Sequence, residues 1–139
     1  HQLLQKYWGH STFRPMQEDI ILSVINKKNT IALLPTGGGK SLCFQIPGLI
    51  LGGTTLVVSP LIALMNDQVQ NLKKKGISAV AISSAMNYKE IEIALNNAAM
   101  GHEQFLYVSP ERLENEDFRK QLSYFICFFP NKSVFIENQ

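Results

Sequence analysis

Residues 37–41 read Gly37-Gly38-Gly39-Lys40-Ser41, and this run is the strongest chemical signal in the chain. Three residues without a Cβ let the backbone curl tightly enough for several N–H groups to converge on one anion. A lysine directly after them brings an ammonium within reach of terminal phosphate oxygens, and the serine hydroxyl that follows can hold Mg²⁺. Such a loop works between a strand and a helix, because the helix turns its positive end and unpaired N–H groups toward the same anion. The segment LLPTGGGKSLCFQIP has that setting. The full phosphate-loop pattern also wants glycine at its first position, where this chain has Leu34, so the match is partial. A plain glycine-rich turn with a chance lysine is the competing reading, and the flanking strand and helix patterns weigh against it.

Other hydroxyls stand where apolar runs end. Thr30 to Leu34, Thr54 to Ser59, Ala79 to Ser83 and Phe105 to Ser109 read as strands, apolar on both faces as buried parallel strands are. Helical spacing follows between them. Met16 to Asn26 lines up Ile20, Ile21, Val24 and Ile25, with Pro15 suited to a first helical turn. Leu61 to Lys75 lines up Leu61, Leu64, Met65, Gln68 and Leu72, and closes on three lysines and Gly76. Tyr88 to Met100 repeats the pattern with Ile91, Leu95 and Ala98. Alternating strands and helices predict a parallel sheet covered by helices, with ligands at the C-terminal strand ends. Ser59, Ser83, Ser84 and Ser109 fall at those ends. Ser59 and Ser109 precede Pro60 and Pro110, so helix capping is a second use for their hydroxyls.

Composition bounds the rest. At 139 residues the chain is the size of one domain, and it is 45% hydrophobic against 17% charged, which marks a folded globule. The formal charge of +2 is far from that of a polybasic nucleic-acid coat. Nucleic acid, if bound, would meet a local patch. Lys73, Lys74 and Lys75 could form one, but charge at a helix end also answers the helix dipole, and a solvated end is the better reading. Cys43 and Cys127 lack metal-ligand spacing and suit a reducing setting. No apolar run approaches the length of a membrane span.

Four blocks stand in order: YWGHSTFRPMQEDII (7–21), LPTGGGKSLCFQIP (34–47), VVSPLIALMNDQV (57–69) and YVSPERL (107–113). Together they resemble the first RecA-like lobe of a RecQ-type DNA helicase of superfamily 2. The resemblance covers the chain to about Tyr124, leaving 125–139 as a divergent tail. It implies an α/β fold: a parallel sheet flanked by helices, as one incomplete RecA-like P-loop NTPase lobe. It implies ATP and Mg²⁺ as cofactors, and 3′–5′ DNA unwinding driven by ATP hydrolysis in replication, recombination and repair. The setting would be the cytoplasm, at the nucleoid, or the nucleus, with no membrane partner. The nucleotide would meet Thr36, Gly37, Gly38, Gly39, Lys40 and Ser41, with Ser41 on the metal. His10, Arg14 and Gln17 would read adenine: a glutamine amide offers a donor and an acceptor to the base edge, Arg14 adds hydrogen bonds or a cation–π contact, and His10 stacks. A surface loop histidine is an equal alternative for His10. Single-stranded DNA, or a duplex junction, would meet Ser59, Pro60, Leu61, Ser83 and Ser109 through its phosphates, with Arg112 adding charge.

The resemblance also sets a requirement late in the chain. ATPases of this superfamily carry an acidic pair, the first acid on Mg²⁺ and the second beside the attacking water. After Val134 to Ile136 this chain reads Glu137-Asn138-Gln139. Glu137 could take the metal place, but an amide such as Asn138 cannot act as a base. The expectation is a chain cut at or before that pair, without the second lobe that unwinding needs. Such a fragment would bind ATP or ADP and hold a single strand weakly, without turnover. An unrelated P-loop kinase is a third reading, disfavoured by the order of the four blocks. Phe125, Phe128, Phe129 and Phe135 either form the last buried strand or remain bare for self-association.

Overall fold

The computed structural model describes residues 1–27, 40–130 and 133–136. The expected first strand, Thr30 to Leu34, lies outside them, as do Thr36 to Gly39 and Glu137. The chain forms two compact units, His1–Leu51 and Gly52–Gln139.

The described elements of the first unit are helices. A π-helical turn, Leu4–Trp8, is followed by α1, Gln17–Ile25, and α2, Leu42–Leu51. Leu4, Ile21 and Ile46 form its buried centre, with Trp8, Phe13, Ile25 and Leu42 packed around them. Helix α1 begins one residue later than its apolar spacing suggests. Met16 sits at φ +70° ahead of it, so Pro15 precedes the helix instead of opening it. Helix α2 is apolar almost all round and buries Cys43 through Gly48.

The second unit is the α/β body. Its elements are β1 (Thr55–Val58), α3 (Ile62–Lys74), β2 (Ala79–Ala81), α4 (Tyr88–Ala99), β3 (Phe105–Val108), α5 (Pro110–Glu114), α6 (Glu116–Ile126) and β4 (Ser133–Ile136). The described strands form one sheet in the order β2-β3-β1-β4, with every neighbouring pair parallel. Thr55 stands opposite both Phe105 and Ser133, and Val58 opposite both Val108 and Ile136. Strands β1, β3 and β4 therefore end level, and β2 ends one residue earlier, with Ala81 opposite Tyr107. Strands β1 and β3 are buried along their whole length, as continuous apolar runs require. Strand β2 is only partly buried, and β4 alternates half-buried and exposed residues.

Successive strand residues point to opposite faces. Leu56, Val58, Leu106 and Val108 share one core cluster with Ile91, Leu95 and Ala98 of α4 and Phe118 and Leu122 of α6. The chain moves across the sheet in one direction from β1 to β2 and in the other from β2 to β3. Right-handed crossovers then set α3 and α4 on opposite faces. Helix α3 buries Met65, Val69 and Leu72 and ends as its lysines and Gly76 predict, Gly76 taking φ +79°.

Helix α5 starts at Pro110, where the sequence places a helical turn, and α6 is an addition to that expectation. Asn115 caps α6, its side chain accepting from the Phe118 N–H at 2.9 Å, and acidic Glu116 and Asp117 follow in the first turn. The phenylalanines divide. Phe125 lies in the last turn of α6, partly buried against the core; Phe129 is core; Phe135 is half-buried in β4; Phe128 is 61% exposed. No helix among the described residues is long and apolar enough to cross a membrane.

Candidate functional site

Two sets of expected site residues occur, one in each unit. In the first unit Lys40 and Ser41 stand directly before α2, both half-buried. Their carbonyls open the helix. That of Lys40 accepts from the Cys43 N–H at 3.0 Å, and that of Ser41 from the Gln45 N–H at 2.9 Å and the Phe44 N–H at 3.2 Å. The ammonium and the hydroxyl thus belong to residues at the helix's positive end, a donor set suited to phosphate and to a hard cation shared with it. Among the described residues no group of three or more His, Cys, Asp or Glu could hold a metal. The buried Cys43 thiol is pushed up by loss of solvation, which makes it a poor nucleophile.

His10 and Arg14 are exposed, whereas Gln17 is only 1% exposed. The Gln17 amide oxygen accepts from the Arg14 N–H at 2.7 Å, and the Gln17 N–H donates to the Arg14 carbonyl at 3.1 Å. This reciprocal pair closes the turn that delivers the chain into α1. The side chain expected to read a base therefore also holds its own loop, and its acceptor is committed there.

In the second unit the parallel register gathers three turns at one sheet edge. Ser59 follows β1, Ser83 lies two residues past β2, and Ser109 follows β3. The ladder continues into them: the Ser59 N–H donates to the Val108 carbonyl at 3.0 Å, and the Ile82 N–H to the Tyr107 carbonyl at 2.8 Å. The hydroxyls are used differently. Ser109 caps α5, accepting from the Arg112 N–H at 3.3 Å with Pro110 in the first turn, as its sequence predicts. Ser59 does not cap α3. Leu61, in extended conformation, holds the N-cap position without a side-chain bond, and α3 starts at Ile62. The Ser59 hydroxyl is left buried with no hydrogen-bond partner among the described residues. Pro60 and Leu61 beside it are exposed.

Arg112 stands at this edge as expected, but its side chain turns inward. Its Nη2 donates to the carbonyls of Ser83 at 2.6 Å and Met86 at 3.2 Å. Residue type showed the charge; only the fold shows which carbonyls receive it. A groove of about 580 Å³ along α4 and α6, lined by Tyr88, Glu92, Gln121, Tyr124 and Phe125 among others, contains none of the motif residues.

Comparison with known proteins agrees with this arrangement. The family model described as DEAD/DEAH box helicase matches residues 14–128. The chain is 48% identical over 115 residues to the probable ATP-dependent DNA helicase RecS of Bacillus subtilis, covering 82% of this chain and 23% of that protein. It is 45% identical over 117 residues to the ATP-dependent DNA helicase RecQ of the same organism, covering 84% and 20%. With the ATP-dependent helicase wrn-1 of Caenorhabditis elegans it shares 42% identity over 113 residues, covering 81% and 10%. The chain thus spans at most about a quarter of the length of these relatives. A helicase-domain match over most of the sequence, on a parallel sheet whose turns meet at one edge, fixes the family: the chain belongs to the DEAD/DEAH box helicases and is similar within them to those of the RecQ type.

Proposed function

We propose that this chain is the ATP-binding lobe of a 3′–5′ ATP-dependent DNA helicase of the RecQ type, acting in replication, recombination and repair on DNA in the cytoplasm or nucleus. The observation that carries the proposal is the parallel register of β1, β2 and β3, whose continuation aligns Ser59, Ser83 and Ser109 along one edge. Hydroxyls, loop N–H groups and helix starts grip phosphates without reading bases, which suits a motor that must track any sequence. Lys40 and Ser41 supply the other half. Thr36 and Gly37 to Gly39 would wrap the terminal phosphates, with Lys40 as a point charge on them. His10, Arg14 and Gln17 would face the adenine. Mg²⁺, held through Ser41, would neutralise charge on the phosphoryl oxygens during hydrolysis.

Calorimetry with Mg-ATP and ADP tests the nucleotide half. The wild-type chain should release heat at millimolar nucleotide, and Lys40→Ala should abolish it while leaving the circular dichroism spectrum unchanged. A folded wild-type sample that gives no heat would remove the proposal. Fluorescence anisotropy with labelled oligothymidylate tests the DNA half.

A further inference from the structure

Arg112 has the charge for a phosphate contact, yet its surroundings assign it other work. One terminal nitrogen bridges two carbonyls, those of Ser83 and Met86, 29 and 26 residues earlier in the chain. Its Nε is buried with no hydrogen-bond partner among the described residues, out of reach of any solvent-borne ligand. The guanidinium carbon lies 5.9 Å from the centre of the Phe118 ring. The backbone below is fixed as well, since the Arg112 N–H is capped by Ser109 Oγ. The side chain therefore runs from the first turn of α5, after β3, to the turn after β2. Met86 packs against the core and Asn87 next to it caps α4, but within the turn few other hydrogen bonds occur among the described residues. The Ser83 N–H donates to the Met86 sulfur at 3.4 Å, a weak acceptor, and the Met86 N–H reaches the Ser83 carbonyl only at 3.2 Å. Ser84 and Ala85 within it are exposed.

We propose that Arg112 is a positioning residue: its guanidinium clamps the Ser83–Met86 turn to the start of α5, so that the turns after β2 and β3 move as one piece, and it does not itself touch nucleic acid. The clamp needs arginine. Its Nη2 carries two N–H donors fixed in the guanidinium plane, one for each carbonyl, while the guanidinium lies near the Phe118 ring; lysine offers a strongly hydrated point charge on a flexible stem. The consequence for DNA binding rests on the proposed role of this sheet edge; the clamp itself does not.

The test uses the 139-residue chain with Arg112→Ala and Arg112→Lys. Hydrogen exchange at Ser83 to Met86 should quicken roughly tenfold in Arg112→Ala, the scale of one lost hydrogen bond to a charged group. Arg112→Lys should also exchange faster, although it keeps the charge. Anisotropy with labelled oligothymidylate over a salt series should show weaker binding with an unchanged slope of log K against log salt. Losing a direct phosphate contact would instead lower that slope by about 0.7 for a single strand. Unchanged exchange in both variants overturns the proposal, and so does a lowered slope. If the wild-type chain binds no DNA, the DNA reading fails alone and exchange still decides the clamp. Should Arg112→Ala not fold, Arg112→Lys carries the test.

Discussion

Ser59 and Ser109 follow neighbouring strands, precede prolines, and look alike in sequence, yet their hydroxyls have opposite energetic roles. Ser109 satisfies a helix N–H, so Ser109→Ala should cost about 1 kcal/mol. Ser59 buries a hydroxyl that has already lost water and gained nothing in return. Ser59→Ala should leave stability unchanged or raise it by about 1 kcal/mol, while weakening the binding of oligothymidylate. Urea denaturation and anisotropy read the two effects separately. A Ser59→Ala protein destabilised as much as Ser109→Ala would mean that the hydroxyl is satisfied within the fold. A residue kept at a cost to stability is what a ligand contact looks like before the ligand arrives. Sequence shows that both serines end strands; only the fold shows that Pro60 does not start a helix, which begins two residues later. Gln17 illustrates the same limit, because no spacing rule shows that its amide oxygen is spent on the Arg14 N–H.

Elements were legible where a single period ran long enough. Strands β1 and β3 and helices α3 and α4 follow from apolar runs and helical stripes. Helix α6 was missed although its signals exist: Asn115 before two acids, then Phe118, Leu122, Phe125 and Ile126 at helical spacing. The greasy stretch from Tyr124 to Phe129 suggests a strand and hides the end of that helix. Junctions are less legible still, because their polar partners come from distant elements. Thr54, wholly buried before β1, donates its hydroxyl toward the carbonyls of Ala98 and Glu103, both at 3.1 Å, joining the sheet to the α4–β3 connection. At that junction the Glu103 carboxyl has a buried oxygen without a partner among the described residues. Burial pushes its pKa above the ordinary 4.5, against the pull of Lys73 and His102. The folded state therefore binds this proton more tightly than the unfolded state does. The group's contribution to stability is complete below pH 4.5 and is lost as pH rises through the window just above it. Glu103→Gln removes that loss. Measured against wild type in urea at pH 4 and pH 7, the variant should gain relative stability at the higher pH. A variant that loses ground at pH 7 would show that the carboxylate is favourably paired.

For the α/β unit as a whole, the remaining question is which end of its parallel sheet meets a polyanion, and charge alone gives a misleading answer. The densest basic run is Lys73-Lys74-Lys75, but it closes α3, which runs back from the strand-end edge. Helix α3 has 13 residues, so at 1.5 Å each its two ends lie about 20 Å apart. At physiological salt the screening length is about 8 Å, so these lysines stand more than two screening lengths from the turns around Ser59. The charge of Lys73 also acts on Glu103, whose carboxylate it favours. If DNA lies across the C-terminal strand ends, replacing all three lysines by glutamine should change affinity for oligothymidylate at 0.15 M salt by less than about threefold, even though the formal charge falls from +2 to −1. At 0.01 M salt the screening length grows to about 30 Å, and the same variant should then bind distinctly less well, because the lysines act there through the field of the whole unit. The two salt conditions separate a distant charge from a contact. A loss of tenfold or more that persists at 0.15 M would move the DNA path to the opposite end of the sheet, away from every turn that the motifs mark.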